Sequence, residues 1–510
     1  MDTATTPLPP LPDDPVVLQQ MIRELLEQLA ASRRDSDQLR QRLDQLLRRL
    51  YGPRTEKTDP HQPLLFDEPP PEPAPPPPPP EPAAAAAPRA GHGRRRLPAD
   101  LPRQRVVYEL PLAERLCPQC QQERQPIGQE VSEQLDFKPA SLFVVEHVRV
   151  TYACPCCQGA VATAAKPPQP IDKGLPGPGL LAYVAVSKYS DHLPLYRLER
   201  IFVRHGLDLS RSTLCDWMRA CADLLSPLYT LLVAEVLQSA VVHTDDTVVP
   251  VLDGSRDRTR QARLWVYSGD KQHPHNVFDY TASRSRDGPA AFLKDFKGYL
   301  QADAFGGYDG IYAGGQIVEV CCHAHARRKF YEARTTDAAR SAAALGWYRE
   351  LYALEADIKD LKDEERYRVR QERSLPLLAS FHTWLEEQRA VALPKSPLGQ
   401  AVQYALNQWA ALVRYTEDGR LSIDNNVSER EMKRIAIGRK NWLFAGSDRG
   451  GETAAVLYTV TSTCARHGVD AFVYLEDVLR RLPSCPAEGL VELLPDRWAA
   501  ARRAEASPPQ

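Results

Sequence analysis

The chain has 510 residues, and 43% of them are hydrophobic, which is enough apolar material for real cores and more length than one core usually serves. A wholly disordered chain is therefore excluded, and 64 Lys and Arg against 66 Asp and Glu exclude a uniformly basic nucleic-acid coat while leaving local patches open. No apolar run reaches a membrane-spanning length and Met1 to Pro15 is acidic and proline-rich, so the expectation is a cytoplasmic, multidomain protein with no membrane partner.

The first predicted element (within residues 1–56) is a heptad-patterned helix. Leu18, Ile22, Leu25, Leu29, Ser32, Ser36, Leu39, Leu43, Leu46 and Leu50 alternate in steps of four and three, which keeps one seam facing a partner helix. Charges such as Arg33, Arg34, Asp35, Asp37, Arg40, Arg42 and Asp44 crowd the positions off that seam, so the spacing predicts a self-associating coiled coil and a homo-oligomer.

Residues 57–100 change character. Between Pro60 and Pro98 lie 15 of the 45 prolines, with an alanine run at Ala83 to Ala87 and a basic end at Arg94, Arg95 and Arg96. Polyproline is extended and buries no core, so this segment reads as a semi-rigid linker.

Residues 101–165 carry two Cys-x-x-Cys pairs, Cys117/Cys120 and Cys154/Cys157. Each spacing lets two thiolates on one tight turn reach the same ion, and four complete a closed tetrahedral Zn2+ site; Cys156 is an alternative to Cys157. Between the pairs, the β-branched and aromatic run Leu142 to Tyr152 predicts a strand feeding the second pair, as in a zinc ribbon.

Residues 166–235 read as helical. Leu195, Leu198, Ile201 and Phe202 form a stripe that stops at Gly206, and Ser210 is placed to cap a second helix with the stripe Leu214, Trp217, Cys221 and Leu224. Helix, Gly-containing turn, helix is the outline of a DNA-binding helix-turn-helix, although any helical bundle contains such pairs.

From residue 236 to 335 the pattern is strand-rich. Val241 to Val249, Leu264 to Tyr267, Val277 to Tyr280, Tyr299 to Asp303 and Ile317 to Cys321 are predicted strands, with a helix at about Pro289 to Phe296 and another beginning at His323. That order is the order of a ribonuclease-H-like α/β fold. Carboxylates inside strands are poor formers and costly to bury unless paired or metal-bound, which singles out Asp245 and Asp303. Glu429 is the third candidate, in the first turn of a helix that Asn426 is placed to cap, with Arg430, Lys433, Arg434, Arg439 and Lys440 following. Cations beside an acidic metal site suit a phosphate-backbone substrate. Three clustered carboxylates need counter-charge, which two Mg2+ ions about 3.5–4 Å apart supply in phosphodiester chemistry. Trp442 and Phe444 nearby have the chemistry to stack on bases, but core packing is the expected use of two aromatics so close together.

These residues resemble the DDE transposases of the insertion sequence 66 family. The likeness runs from the zipper with Leu50-Tyr51-Gly52, through the Cys pairs and the acidic motifs, to the run Gly438 to Ser447 and the tail His467 to Ala471. The resemblance implies a ribonuclease-H-like core with Asp245, Asp303 and Glu429 as its acidic triad. It also implies binding to terminal inverted repeats and cleavage and joining of DNA ends to target DNA. The family usually has Asp-Glu-Thr where this chain has Asp245-Asp246-Thr247, so which aspartate would hold metal stays open, and it often has Trp where this chain has His323. On the same resemblance, residues 336–415 are a helical insertion in the core, 416–460 its remainder and 461–510 a helical tail. His325, Arg327 and Arg328 are expected to contact DNA phosphates, with a packed role the alternative for His325. A regulator with a degenerate core and a nuclease without strand transfer are the other functions open to this sequence.

Overall fold

The computed structural model describes residues 14–51, 142–145, 151–152, 162–163, 168–172, 174–255 and 257–506. The chain divides into two compact units, one of residues 61–163 and the other of residues 1–60 with 164–510. Cys117, Cys120, Cys154, Cys156, Cys157, the proline linker and Arg94 to Arg96 lie outside the described residues.

Helix α1 (Pro15–Tyr51) starts with proline, whose missing N–H costs nothing at a helix start, and the Asp14 side chain accepts from the Val16 N–H at 2.8 Å. Its seam residues Ile22, Leu25, Leu29, Leu39 and Leu43 are all exposed, as a face awaiting a partner helix would be. In the unit of residues 61–163, β1 (Thr151–Tyr152) pairs antiparallel with β2 (Ala162–Thr163). Of the strand expected over Leu142 to Tyr152, residues 146–150 lie outside the described residues and Thr151–Tyr152 are strand. Leu142 to Val145 are not assigned as strand, and Phe143 and Val144 are 82% and 94% exposed among the described residues.

Helices α2 (Pro178–Tyr189), α3 (Leu195–Arg204) and α4 (Arg211–Leu237) precede the sheet. Ser210 caps α4 as expected, accepting from the Thr213 N–H, and Gly206 makes the turn before it at a positive φ of 80°. Alone among the described helices, α4 is long and apolar enough to cross a membrane. Leu214, Met218, Cys221, Leu225, Leu228, Leu232 and Val236 are instead buried in the protein core, with Leu225 in place of the expected Leu224.

The central sheet has five strands: β3 (Val241–Val251), β4 (Arg260–Ser268), β5 (Asn276–Thr281), β6 (Gly298–Ala302) and β7 (Ile317–Cys321). Their spatial order is β5-β4-β3-β6-β7, antiparallel across β3-β4-β5 and parallel across β3-β6-β7. The long β-branched run puts β3 at the centre, where both faces are covered. The crossovers carry the short helices α5 (Asp287–Phe292) and α6 (Asp309–Tyr312), and α5 ends before the expected Phe296.

After β7 come α7 (His323–Ala333), α8 (Ala338–Asp357), α9 (Asp363–Val369), α10 (Leu375–Val391), α11 (Pro397–Asn407) and α12 (Trp409–Val413). They bury a second core that includes Phe330, Tyr348, Phe381, Leu385, Leu398 and Leu412. The chain returns through α13 (Asn426–Trp442), α14 (Asp448–Arg466), α15 (Ala471–Arg481) and α16 (Pro495–Ala506). Edge strand β5 is blunted by α14: the Thr459 hydroxyl accepts from the Phe278 N–H at 2.8 Å, and the Thr463 hydroxyl donates to the Asn276 carbonyl at 2.9 Å.

One buried cation fastens the inserted helices to the returning chain. Arg370, fully buried, makes a two-pronged pair with Glu355 (2.8 and 2.6 Å) and donates to the carbonyls of Tyr415, Asp418 and Leu421 at 2.8–2.9 Å. Removing one partner of such a pair strands the other charge away from water. Arg370→Ala should cost about 3–5 kcal/mol in urea unfolding, whereas Arg328→Ala on the exposed face of α7 should stay within about 0.5 kcal/mol. Equal midpoints for the two variants would contradict this role.

Candidate active site

The three candidate acids come from three elements. β3 and β6 are parallel neighbours with His243 opposite Gln301, so two residues further along each chain Asp245 and Asp303 arrive side by side on one face. Asp303 lies one residue beyond the end of β6. Glu429 sits in the first turn of α13.

What places α13 is the segment just before it. Gln301, buried in β6, donates to the carbonyls of Ser422 (2.5 Å) and Asp424 (3.0 Å). The buried Asn425 amide donates to the Thr244 carbonyl at 2.7 Å and its oxygen meets His243 Nδ1 at 3.1 Å. The Asn425 N–H reaches Cys322 Sγ at 3.2 Å, and the His323 N–H donates to the Ile423 carbonyl at 3.1 Å. The cap position of α13 is therefore Asn425 and not Asn426, and its side chain serves the sheet rather than the helix. Asn426 is instead held by Asp424, which accepts from its N–H and, at 2.6 Å, from its amide.

The acids are electrostatically unsettled. Burial, reinforced by the charges of Asp303 and Glu429, pushes Asp245 up to about 8 against the single backbone N–H of Asp246 that favours its charge. Asp303 is raised as well, mainly by burial, with His325 and Arg284 opposing the shift. Asp246, on the opposite face, is already neutralised by Arg263 (2.8 Å) and Arg284 (2.8 Å), and Arg284 lies over the Phe305 ring at 3.8 Å. No cation among the described residues stands within ion-pair distance of Asp245 or Asp303. Two half-buried carboxylates with no cation at ion-pair distance among the described residues, offering only oxygen, fit a hard divalent cation. Among the described residues one trio places ligand atoms within 4.8 Å of one another, Cys322, His325 and Glu429; Asp245 and Asp303 complete no such trio.

The basic residues divide by use. His325 Nδ1 stands 3.6 Å from Glu429 Oε1, with its ring partly exposed rather than packed. Arg327 is half-buried, while Arg328 pairs with Glu332 at 3.0 Å in solvent. Arg430 reaches the Asn426 carbonyl at 3.3 Å and Arg434 pairs with Glu431 at 2.8 Å. Arg439 donates to the Val248 carbonyl and to the Thr247 hydroxyl, so its guanidinium is engaged with β3. Lys433 and Lys440 are exposed on α13. Trp442 packs against the core as expected, whereas Phe444 is 42% exposed beyond the helix end at Leu443, which has a φ of 66°. Sequence reasoning missed Gln301, Cys322 and Asn425; Cys322-x-x-His325 at a helix start was the one signal available for Cys322.

More than half of the chain, residues 173–453, matches the model of the Transposase IS66 family. The chain belongs to the IS66 transposase family. Three further models of the family match in chain order: Transposase C of IS166 homeodomain over residues 38–106, the zinc-finger binding domain of transposase IS66 over 114–158 and the IS66 C-terminal element over 459–495. The zinc-finger match spans Cys117, Cys120, Cys154 and Cys157 and supports Zn2+ there, and membership implies DNA as a partner. Two relatives from Sinorhizobium fredii, the uncharacterized proteins y4hP and y4jD, are each 34% identical. The first aligns over 80% of this chain and 77% of its own length, the second over 79% and 82%.

The raised Asp245 has a signed consequence for stability in this family member. Between about pH 4 and pH 8 the folded state holds a proton that the unfolded state has released, so metal-free stability falls as pH rises through that window. Asp245→Asn removes the titration. In chelator, its advantage over the native chain should grow from nothing near pH 4 to about 1–2 kcal/mol near pH 8, after discounting for residual solvent contact, as read by urea midpoints. An advantage that stays constant across the window would contradict the raised value.

Proposed function

We propose that the chain is a DDE transposase whose sheet and flanking helices form a ribonuclease-H-like core, with Asp245, Asp303 and Glu429 as its acidic triad. The observation that carries this reading is the register of β3 against β6, which sets Asp245 beside Asp303, together with the charge of Glu429 acting on Asp245. The sheet order, with a long first strand at its centre, agrees with such a core. Asp245 is favoured over Asp246 as the working acid because Asp246 is already held by two arginines.

The triad would hold two Mg2+ ions, which supply activation of the attacking oxygen and stabilisation of the leaving one. The carboxylates position and neutralise; water and then a DNA 3′-hydroxyl serve as nucleophiles, so no covalent link between protein and DNA is required. His325, Arg327, Arg328, Arg430, Lys433 and Lys440 are assigned to the phosphate backbone of terminal inverted repeats and target DNA. Arg439 acts chiefly by holding α13 against β3 through the Val248 carbonyl, whereas Arg434, whose partner Glu431 lies on α13 itself, stays assigned to the phosphate backbone. The zipper of α1 would join copies into a homo-oligomer able to bring two DNA ends together, and α3 with α4 would supply a helix-turn-helix-like DNA contact.

The test is Asp303→Asn on terminal-repeat DNA. The variant should bind that DNA with native affinity yet lose Mg2+-dependent cleavage and joining by about 10³-fold or more. Retained cleavage would overturn the triad.

A further inference from the structure

Cys322 is the N-cap residue of α7 and His325 lies in that helix's first turn, so a Cys-x-x-His spacing brings both side chains to one helix end. Glu429 approaches from the first turn of α13, and the ligand atoms of all three lie within 4.8 Å of one another. His325 Nδ1 is a buried atom with no hydrogen-bond partner. Its 3.6 Å separation from Glu429 Oε1 is too long for a hydrogen bond, yet close to the roughly 3.3 Å edge of a tetrahedron with 2.0–2.1 Å arms. Cys322 Sγ accepts the Asn425 N–H at 3.2 Å, the kind of outer-shell contact that steadies a thiolate once it is bound to metal.

We infer that Cys322, His325 and Glu429 form a second transition-metal site, distinct from the four-cysteine module, that takes Zn2+ or a similarly thiophilic divalent cation. A sulfur, a nitrogen and a carboxylate oxygen with one position open match zinc and do not match magnesium, which avoids thiolate. Ligation releases the Cys322 thiol proton to solvent and needs no oxidant or reductant. Glu429 engaged by this ion is drawn from the oxygen-only acids and offers them less charge. Zinc therefore competes with Mg2+-dependent chemistry, a consequence that rests on the function proposed above, whereas the site itself does not.

The full-length protein is dialysed against Zn2+, freed of loosely held ions, and its zinc counted per chain. Cys322→Ser, which keeps an acceptor for the Asn425 N–H, and His325→Ala, which leaves the buried thiol untouched, should each hold one zinc ion fewer than the native chain. Native zinc content in both variants, each with a native far-ultraviolet spectrum, would overturn the site; so would a loss in both that is accompanied by unfolding in neither but is reproduced by Cys321→Ser. In the activity arm, zinc should inhibit Mg2+-dependent cleavage by the native protein, and Cys322→Ser should need at least about tenfold more zinc for the same fractional inhibition. Equal sensitivity would overturn the competition. Absence of cleavage by the native protein would count against the proposed function, and the zinc count would still decide the site.

Discussion

The buried amide of Asn425 is the constraint on which the candidate site depends. Its nitrogen is spent on the Thr244 carbonyl, so its oxygen faces His243, and burial lowers the His243 imidazole to about 4 and keeps it neutral. With the amide oriented this way, His243 must carry its proton on Nδ1 and donate. Thr244 and His243 immediately precede Asp245 in β3, and Asn425 lies one helical turn before Glu429, so one side chain ties the strand of the first acid to the helix of the third. Each of these groups, left unpaired in the interior, would cost about 1–3 kcal/mol, and together they favour a single placement of α13.

That placement has to survive a long detour. More than a hundred residues separate Asp303 from Glu429, and most fold into helices with a core of their own. Two buried polar groups tie the detour back. Arg370 gathers the carbonyls of Tyr415, Asp418 and Leu421 just before the returning segment, and His323 at the start of α7 meets the Leu412 carbonyl at 2.8 Å. The detour is thus tied together near the two points where the chain leaves the sheet and returns. Gln301 then holds Ser422 and Asp424, so the returning chain is secured immediately before it turns into α13.

The strands were legible because β-branched runs such as Val241 to Val249 and Ile317 to Cys321 have few other uses, and acids set within or at the end of such runs stand out. The choice between Asn425 and Asn426 was not legible. Both are cap-forming residues in one run, and what separates them is a partner about 180 residues away in β3. Arg439 looked like a phosphate ligand for the same reason, since its engagement with the Val248 carbonyl depends on how α13 crosses β3. Leu142 to Val145 has strand-forming composition yet is not paired among the described residues, and strand propensity depends on the neighbours a segment packs against. Cys322 was hidden by its neighbour Cys321 and by a motif that drew attention to its basic residues.

The most direct measurement is the Mg2+ affinity of Asn425→Ala, by titration calorimetry on the full-length protein. If the amide holds Glu429 against the other acids, the variant stays folded and its affinity falls about 10–100-fold, close to the loss in Glu429→Gln. A folded Asn425→Ala protein that binds Mg2+ with native affinity would contradict the account.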